Sequence, residues 1–189
     1  MRIFNTLTGQ KEDFHPCGKA VTMYVCGITA YDESHIGHAM TYVIFDVIKR
    51  YLRSKGYEVK HVQNFTDVDD KIIDRAAELR MPPAELASKY VDLYFADMDA
   101  LNIERADIYP KATEEIPKIV EIIQGLLAKG YAYQSDGSVY FRVRSFPDYG
   151  RLSHRNLPEM ISKASEYEEK KEYPLDFALW KASKPGEPF

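Results

Sequence analysis

The sequence predicts an α/β fold in which a doubly wound parallel half is followed by an inserted α+β segment. Two observations support this prediction. An apolar strand, an amphipathic helix and an alternating strand succeed one another before residue 64, and helical patterns give way to short strands near residue 130. A strand, a helix and a strand in this order form a βαβ unit with parallel strands and a right-handed crossover.

The βαβ unit is predicted by local patterns. Residues 20–26 (AVTMYVC) are apolar and β-branched and lie between two glycines, which predicts a buried strand. From Gly37 to Lys55 apolar residues recur at helical spacing, and Gly56 supplies a left-handed end. Residues 57–63 (YEVKHVQ) alternate between apolar and polar, which predicts a second strand. The apolar stripe of the helix consists of Met40, Val43, Ile44, Val47, Ile48, Tyr51 and Leu52.

The later elements are predicted by caps, prolines and turns. Pro82 ends a helix because a residue before proline disfavours helical backbone. Thr113 is the expected cap of a further helix, and Asp136-Gly137 is typical of a hairpin turn. The predicted elements are helices over 68–80, 83–101 and 113–129, a short third strand over 107–111, a hairpin of 131–133 and 139–143, and a last strand over 176–180.

Composition excludes several classes of protein. Of 189 residues, 45% are hydrophobic and 29% are charged, which is typical of a folded domain and not of a disordered chain. The net charge of −4 excludes bulk electrostatic attraction to nucleic acid. No apolar run approaches the roughly 20 residues of a membrane span, and no export leader opens the chain. With only two cysteines, we expect a cytoplasmic protein with reduced thiols.

The loop between the first strand and the long helix has the pattern of an anion site. Ligands of open α/β sheets bind at the carboxyl ends of strands, and a helix N-terminus favours phosphate. His35 and His38 are one helical turn apart and can donate to one phosphoryl group, while Gly37 allows a flat base to approach. This geometry suits nucleotidyl transfer. The alternative is that His35 caps the helix and His38 is a surface histidine.

Residues beside this loop have competing interpretations. Cys26 ends the first strand and could be a nucleophile, a zinc ligand or an inert core residue, and Cys17 is too distant for a zinc knuckle. Thr66 follows the second strand at the same edge and could contact a small substrate. Asp67 is more simply the cap of the next helix, with Asp69 and Asp70 complementing its dipole.

Five motifs together resemble cysteinyl-tRNA synthetases. They are FNTLT at 4–8, MYVCG at 23–27, HIGH at 35–38, NFTDVDDK at 64–71 and DFALWK at 176–181. The resemblance implies the first half of a class I synthetase Rossmann sheet of the HUP type with an inserted α+β connective segment. It also implies an enzyme that joins L-cysteine to ATP and then passes the cysteinyl group to tRNA(Cys).

The resemblance also implies roles for individual residues. His35 and His38 would stabilise the adenylation transition state, and Ile28, Thr29 and Gly37 would join them in binding ATP. Cys26 would ligate a zinc ion that also binds the substrate thiolate. The amino-acid pocket would be lined by Cys26, Gly27 and Thr66.

The same resemblance predicts how the chain is divided. Residues 1–128 would form the first Rossmann half, and residues 129–189 the connective insertion. The remaining zinc ligands, the lysine loop and the anticodon-binding helices belong downstream in the family, so we expect an incomplete active site in this chain.

Two alternatives remain at this point. The cysteine ligase of mycothiol synthesis resembles the sequence over the same motifs, but its acceptor is an amino sugar. A non-catalytic half-domain that binds nucleotide would also carry these loops. Cysteine-dependent exchange of pyrophosphate into ATP separates the enzymes from the binding module.

Overall fold

In a computed structural model, most helices and strands follow the order predicted from the sequence. In the described residues a hairpin at the amino terminus and a short helix over Leu157–Ser162 are added, and the strand predicted over 107–111 does not form. The structure describes residues 1–18, 20–162 and 170–183, so the chain end at 184–189 lies outside the described residues. The strands are β1 (Arg2–Asn5), β2 (Gln10–Asp13), β3 (Ala20–Val25), β4 (Glu58–Gln63), β5 (Ala132–Ser135), β6 (Ser138–Phe141) and β7 (Phe177–Trp180). The helices are α1 (Ile36–Ser54), α2 (Asp70–Leu79), α3 (Pro83–Ala100), α4 (Ile116–Ala128) and α5 (Leu157–Ser162).

The predicted βαβ unit is confirmed. Strands β3 and β4 are parallel, with Ala20 opposite Glu58 and Val25 opposite Gln63, and α1 connects them. They belong to a compact unit, His15–Ile116, which also contains α2 and α3. Parallel strands end at the same edge, so the segments that follow Val25 and Gln63 start side by side.

The core of this unit is rich in aromatic side chains. Phe65 packs edge-to-face on Tyr94 and stacks on Tyr109, with ring centroids 5.5 and 5.3 Å apart. Tyr94 also meets Tyr42 of α1 edge-to-face, and its hydroxyl accepts a hydrogen bond from the buried Gln63 side chain at 2.6 Å. Aromatic pairs of this kind add to the stabilisation from apolar burial. These contacts hold Gln63, the last residue of β4, and Phe65 in place against α3.

The apolar stripe predicted for α1 is largely exposed. Only Leu52 of its seven members is buried, and the helix instead presents Tyr42, Lys49 and Leu52 to its own unit. The buried ammonium group of Lys49 is compensated by two partners. Its Nζ donates to the carbonyl of Arg105 at 2.6 Å and lies 3.7 Å from the carboxylate of Glu104. A contiguous apolar stripe of this size is typical of a surface that contacts further protein.

The third strand predicted over residues 107–111 is wrong as a continuous element. Val62 and Ile108 form one parallel bridge and Phe65 and Lys111 form another, without a strand between them. Asp107 departs from the strand pattern because its carboxylate accepts from the backbone N–H of His61 at 2.6 Å. The segment nevertheless runs along β4 and the residues after it, because the N–H groups of Gln63 and Phe65 donate to the carbonyls of Ile108 and Pro110 at 3.0 and 2.9 Å.

The second compact unit consists of Met1–Phe14 and Pro117–Phe189. In its described part, β5, β6 and β7 form an antiparallel sheet, which confirms the predicted hairpin and last strand. Buried Asp176 supports this sheet by accepting from the Tyr133 hydroxyl and the Val143 N–H, both at 2.8 Å. Strands β1 and β2 form a hairpin that the sequence analysis did not predict.

None of the helices in the described part of the chain has the length and apolar character that a membrane span needs.

Candidate functional site

The segments after β3 and β4 continue side by side beyond the ends of the two strands. The N–H of Thr66 donates to the carbonyl of Ile28 at 3.0 Å, and the N–H of Ala30 donates to the carbonyl of Thr66 at 3.2 Å. Thr29 and Thr66 are thereby paired in a parallel bridge. Thr29, which was predicted to bind ATP, and Thr66, which was predicted to line the amino-acid pocket, are thus neighbours at one edge of the sheet.

Gly27 lies against the backbone of the second segment. A Cβ atom on Gly27 would lie 1.5 Å from the carbonyl oxygen of Asn64, a distance that no side chain tolerates. The N–H of Gly27 donates to Oδ1 of Asn64 at 2.9 Å. Glycine is therefore required here by close backbone approach.

Cys26 is exposed at the start of the first segment. Its Sγ lies 3.8 Å from the carbonyl oxygen of Gly27, and its own carbonyl accepts from the Tyr42 hydroxyl at 3.3 Å. Burial raises the pKa of Tyr42, which keeps this phenol protonated as a donor. The interpretation of Cys26 as an inert core residue is wrong, because its side chain is accessible to a ligand.

The donor set for zinc is incomplete in the described part of the chain. A thiolate is a fitting ligand, so Cys26 suits zinc by chemistry and exposure. Structural and catalytic zinc sites use three or four protein ligands. Residues 1–18, 20–162 and 170–183 hold no group of three or more His, Cys, Asp or Glu side chains placed to bind a metal ion together.

The two histidines form the first turn of α1. The Nδ1 atom of His35 accepts from the N–H of Gly37 at 3.1 Å, and the Nδ1 atom of His38 accepts from the N–H of His35 at 3.3 Å. These two bonds form a reciprocal capping box, so the capping role considered for His35 is confirmed. The rings stack with centroids 3.9 Å apart and an interplanar angle of 12°.

This geometry decides which ring atoms remain as donors. In a neutral imidazole whose Nδ1 accepts a hydrogen bond, the hydrogen is on Nε2. Burial and the neighbouring charge of His35 lower the pKa of His38, which favours its neutral form. Capping and donation are therefore compatible, because each ring uses Nδ1 for the backbone and keeps Nε2–H for a ligand. Gly37 leaves room for the ring of His35, because a Cβ atom on residue 37 would lie only 2.9 Å from Cε1 of His35.

The comparisons with known proteins agree with this geometry. The family described as the tRNA synthetases class I (C) catalytic domain matches residues 14–189.

The chain belongs to this family.

Relatives named cysteine–tRNA ligase match the whole chain of this class I synthetase domain. The protein from Dehalococcoides mccartyi strain BAV1 is 57% identical over 190 residues, and the chain covers 42% of its length. The proteins from Thermodesulfovibrio yellowstonii and Aquifex aeolicus are 57% and 51% identical, with 40% and 38% of their lengths covered. The chain thus spans about two fifths of these relatives.

Solved structures confirm the fold. The methionyl-tRNA synthetase of Mycobacterium tuberculosis in complex with methionyl-adenylate is 26% identical, with a TM-score of 0.55 over 65% of this chain and 25% of that chain. A second structure of that enzyme bound by methionyl-adenylate has a TM-score of 0.58 at 22% identity, over 66% of this chain and 33% of that chain. With the parallel β3–β4 pair, these matches confirm the predicted Rossmann-like half of a class I synthetase.

Two predicted roles near the synthetase loops are wrong. Asp67 does not cap α2; its carboxylate accepts from the N–H and the hydroxyl of Thr113, at 3.0 and 2.5 Å. Thr113 therefore does not cap α4, which begins at Ile116 after a short 3-10 helix. The cap of α2 is Asp69, whose Oδ1 accepts from the N–H of Lys71 at 2.9 Å. The sequence offers both Asp67 and Asp69 as caps of α2. The contact of Asp67 with Thr113 leaves Asp69 as the cap.

Two details of the site were not predicted. The side chain of Ile28 is buried in the core, so this residue offers only backbone atoms to a ligand. Asn64, which had no predicted role, is hydrogen-bonded to Gly27, to Tyr24 and to Thr66. Its position directly after β4, at the edge where open α/β sheets bind their ligands, is the signal from which a role could have been expected.

Proposed function

We propose that this chain carries the first part of the active site of a cysteine–tRNA ligase. The single observation on which the proposal depends is the side-by-side pairing of the loops that carry Cys26–Gly27 and Thr66, at the edge where α1 begins with His35 and His38. The names of relatives at 51–57% identity support the same activity. The substrates are L-cysteine, ATP and, after activation, tRNA(Cys).

The histidines act on ATP in this proposal. A carboxylate oxygen of cysteine attacks the α-phosphorus, the bond to the bridging oxygen breaks, and pyrophosphate leaves with the electron pair. Negative charge grows on the α-phosphate oxygens in the transition state, where fixed donors are most effective. The Nε2–H groups of His35 and His38 are such donors, and their Nδ1 atoms are fixed by the first turn of α1.

Beside the histidines, the nucleotide is bound mainly by backbone atoms of the protein in this proposal. We propose that Ile28 and Thr29 contact ATP through the segment that pairs with Thr66, and that Gly37 lets the base approach α1. The methionyl-adenylate in the similar synthetase structure supports an adenylate as the product.

Cysteine is recognised beside Cys26, Gly27 and Thr66 in this proposal. Serine differs only by oxygen for sulfur, and a pocket that measures size alone separates such analogues poorly. Cys26 would be one zinc ligand, and the bound metal would select a thiolate over a hydroxyl through ligand softness. The exposed thiol of Cys26 supports this role, and the remaining ligands are expected downstream.

The proposal also covers the organisation of the longer protein. The boundary between residues 128 and 129, with a connective insertion over 129–189, stays a prediction, as does a cytoplasmic location. We propose that the second half of the site packs on the exposed apolar stripe of α1, since the relatives are more than twice as long as this chain.

Exchange of labelled pyrophosphate into ATP tests the proposed activity. The protein is expressed from the full reading frame that contains these residues and is assayed with each of the 20 amino acids, then with tRNA and with an amino sugar as acceptor. Exchange with cysteine above all others, followed by charging of tRNA, is expected. Nucleotide binding without exchange would contradict the proposal in favour of a binding module, and transfer to the amino sugar would contradict tRNA as the acceptor.

A further inference from the structure

The side chain of Asn64 makes three hydrogen bonds at the candidate site: one to the opposite loop, one to strand β3 and one within its own loop. Its Oδ1 accepts from the N–H of Gly27 and from the hydroxyl of Tyr24, both at 2.9 Å. Its Nδ2 donates to Oγ1 of Thr66 at 3.4 Å. We propose that Asn64 is a positioning residue for cysteine binding, which fixes the loop at Gly27 and turns the Thr66 hydroxyl toward the amino acid. The inference depends on the function proposed above.

The orientation of the Asn64 amide is decided by Gly27. A backbone N–H can only donate, so the atom that faces Gly27 must be the carbonyl oxygen of the side chain. Reversing the amide would place two donors against each other and leave Thr66 facing an acceptor. The Nδ2 group therefore faces Thr66 because of a backbone contact on the opposite loop.

The consequence is a defined polarity at Thr66. An NH₂ group only donates, so Oγ1 of Thr66 accepts from Asn64 and keeps its own hydrogen for another partner. Thr66 is held by its backbone as well, through its bonds to Ile28 and Ala30. A hydroxyl hydrogen directed in this way can donate to an acceptor atom of the bound amino acid. Asn64 thereby acts through Thr66 without touching the substrate.

A double-mutant cycle in the protein from the full reading frame tests this inference. Asn64→Asp keeps oxygen acceptors for Gly27 and Tyr24 but removes the donor to Thr66, whose hydroxyl then donates to the new carboxylate. Thr66→Val removes the hydroxyl at nearly constant shape. We expect each single change to raise KM for cysteine by about tenfold in pyrophosphate exchange, with kcat changed by less than about twofold.

The double variant is the decisive measurement. If Asn64 acts through Thr66, the double variant should show KM raised by about tenfold, not by the roughly hundredfold that independent effects would give. Asn102→Asp is the matched control because it adds the same charge at an exposed position after α3, where its carbonyl accepts from Arg50 near the far end of α1. It should leave KM and kcat unchanged.

Several results would overturn the inference. Additive effects in the double variant, or equal losses in kcat and in affinity together with a lowered melting temperature, would show that Asn64 has only a structural role. If Asn64→Asp does not fold, Asn64→Ala enters the same cycle, and failure of both variants to fold also overturns the inference. Absence of cysteine-dependent exchange in the wild type would instead overturn the proposed function, so the two failures are distinguishable.

Discussion

The two sides of the candidate site are held in different ways. The amino-acid side, defined here as Cys26–Gly27 and Asn64–Thr66, is formed by two segments far apart in sequence and joined by backbone and side-chain hydrogen bonds. The phosphate side, defined as His35–His38, is formed by one helical turn whose two histidines cap each other. One side depends on the tertiary fold, and the other depends on local structure.

This difference indicates how the two sides respond to mutation. A change on the amino-acid side alters the distance between two strands and is transmitted to both segments. A change in the histidine turn is confined to the start of α1, because its hydrogen bonds stay within four residues. We therefore expect large, coupled losses on the amino-acid side and separable losses on the phosphate side.

The largest effect is expected for Gly27→Ala. The new Cβ would collide with the carbonyl oxygen of Asn64, so β3 and β4 must separate where the site begins. We expect cysteine-dependent exchange to fall by at least about 100-fold and the free energy of unfolding to fall by about 2 kcal/mol. Exchange assays and urea denaturation measure both quantities.

Gly125→Ala is the matched control for Gly27→Ala. Gly125 lies in α4, and apart from its chain neighbours and the backbone of its own helix no heavy atom of the described residues lies within 4 Å of a Cβ at that position. Alanine there should stabilise the protein by roughly 0.5–1 kcal/mol and leave exchange unchanged. If Gly27→Ala behaved like this control, the close approach of the two segments would be refuted.

His35→Asn separates capping from catalysis on the phosphate side. Asparagine is among the best N-cap residues, so it can accept from Gly37 in place of Nδ1 and preserve α1. It lacks the Nε2–H donor, so kcat should fall about 10- to 100-fold while KM for cysteine and the melting temperature stay near wild type. Unchanged kcat would show that His35 is a cap and nothing more.

The smallest effect is expected on the pH dependence of stability, and it comes from β4, the strand that leads to Asn64–Thr66. His61 of β4 is buried, and neither ring nitrogen has a hydrogen-bond partner in the described structure. Burial first, and then the charge of Lys49, lower its pKa below the unfolded value near 6.5, although Asp107 opposes this. The unfolded state therefore binds more protons, and stability is lost as pH falls from about 7 through 6.5 toward the folded pKa.

Urea denaturation between pH 7.5 and 5 measures this loss, and the free energy of unfolding of the wild type should decrease as the pH is lowered. His61→Gln should remove most of the pH dependence. His38→Gln should remove a smaller part, because burial also lowers the pKa of His38 but this side chain is only partly buried. A stability that is constant with pH in the wild type would contradict the assignment of His61 as a neutral buried residue.

The sequence predicted the βαβ unit and the main helices because their signals are local. Periodicity defined α1, prolines marked the start of α3, and a glycine turn defined the β5–β6 hairpin. The β1–β2 hairpin was missed because its strands have four residues each and are largely exposed, so no apolar pattern marks them. The local signal for this hairpin was Gly9, a residue type that favours turns, and it adopts a φ of 69° in the turn between β1 and β2.

The sequence predicted where the candidate site residues lie in the fold but not how they are connected. Cys26, Gly27, His35, His38 and Thr66 lie where the strand ends and the helix start were expected. The link through Asn64, the pairing of Asp67 with Thr113 and the exposed stripe of α1 depend on which segments meet in three dimensions. Local pattern cannot decide such contacts, because several polar residues compete for each role.

We propose that Cys26, as a zinc ligand, selects cysteine on the amino-acid side of the site. The most direct measurement compares Cys26→Ala with Cys17→Ala, since both cysteines are free and exposed. Zinc content and the ratio of cysteine- to serine-dependent exchange are measured in the protein from the full reading frame. We expect loss of bound zinc and a cysteine-to-serine ratio lowered at least about 100-fold in Cys26→Ala alone. Zinc content and a ratio that are equal in both variants would contradict it.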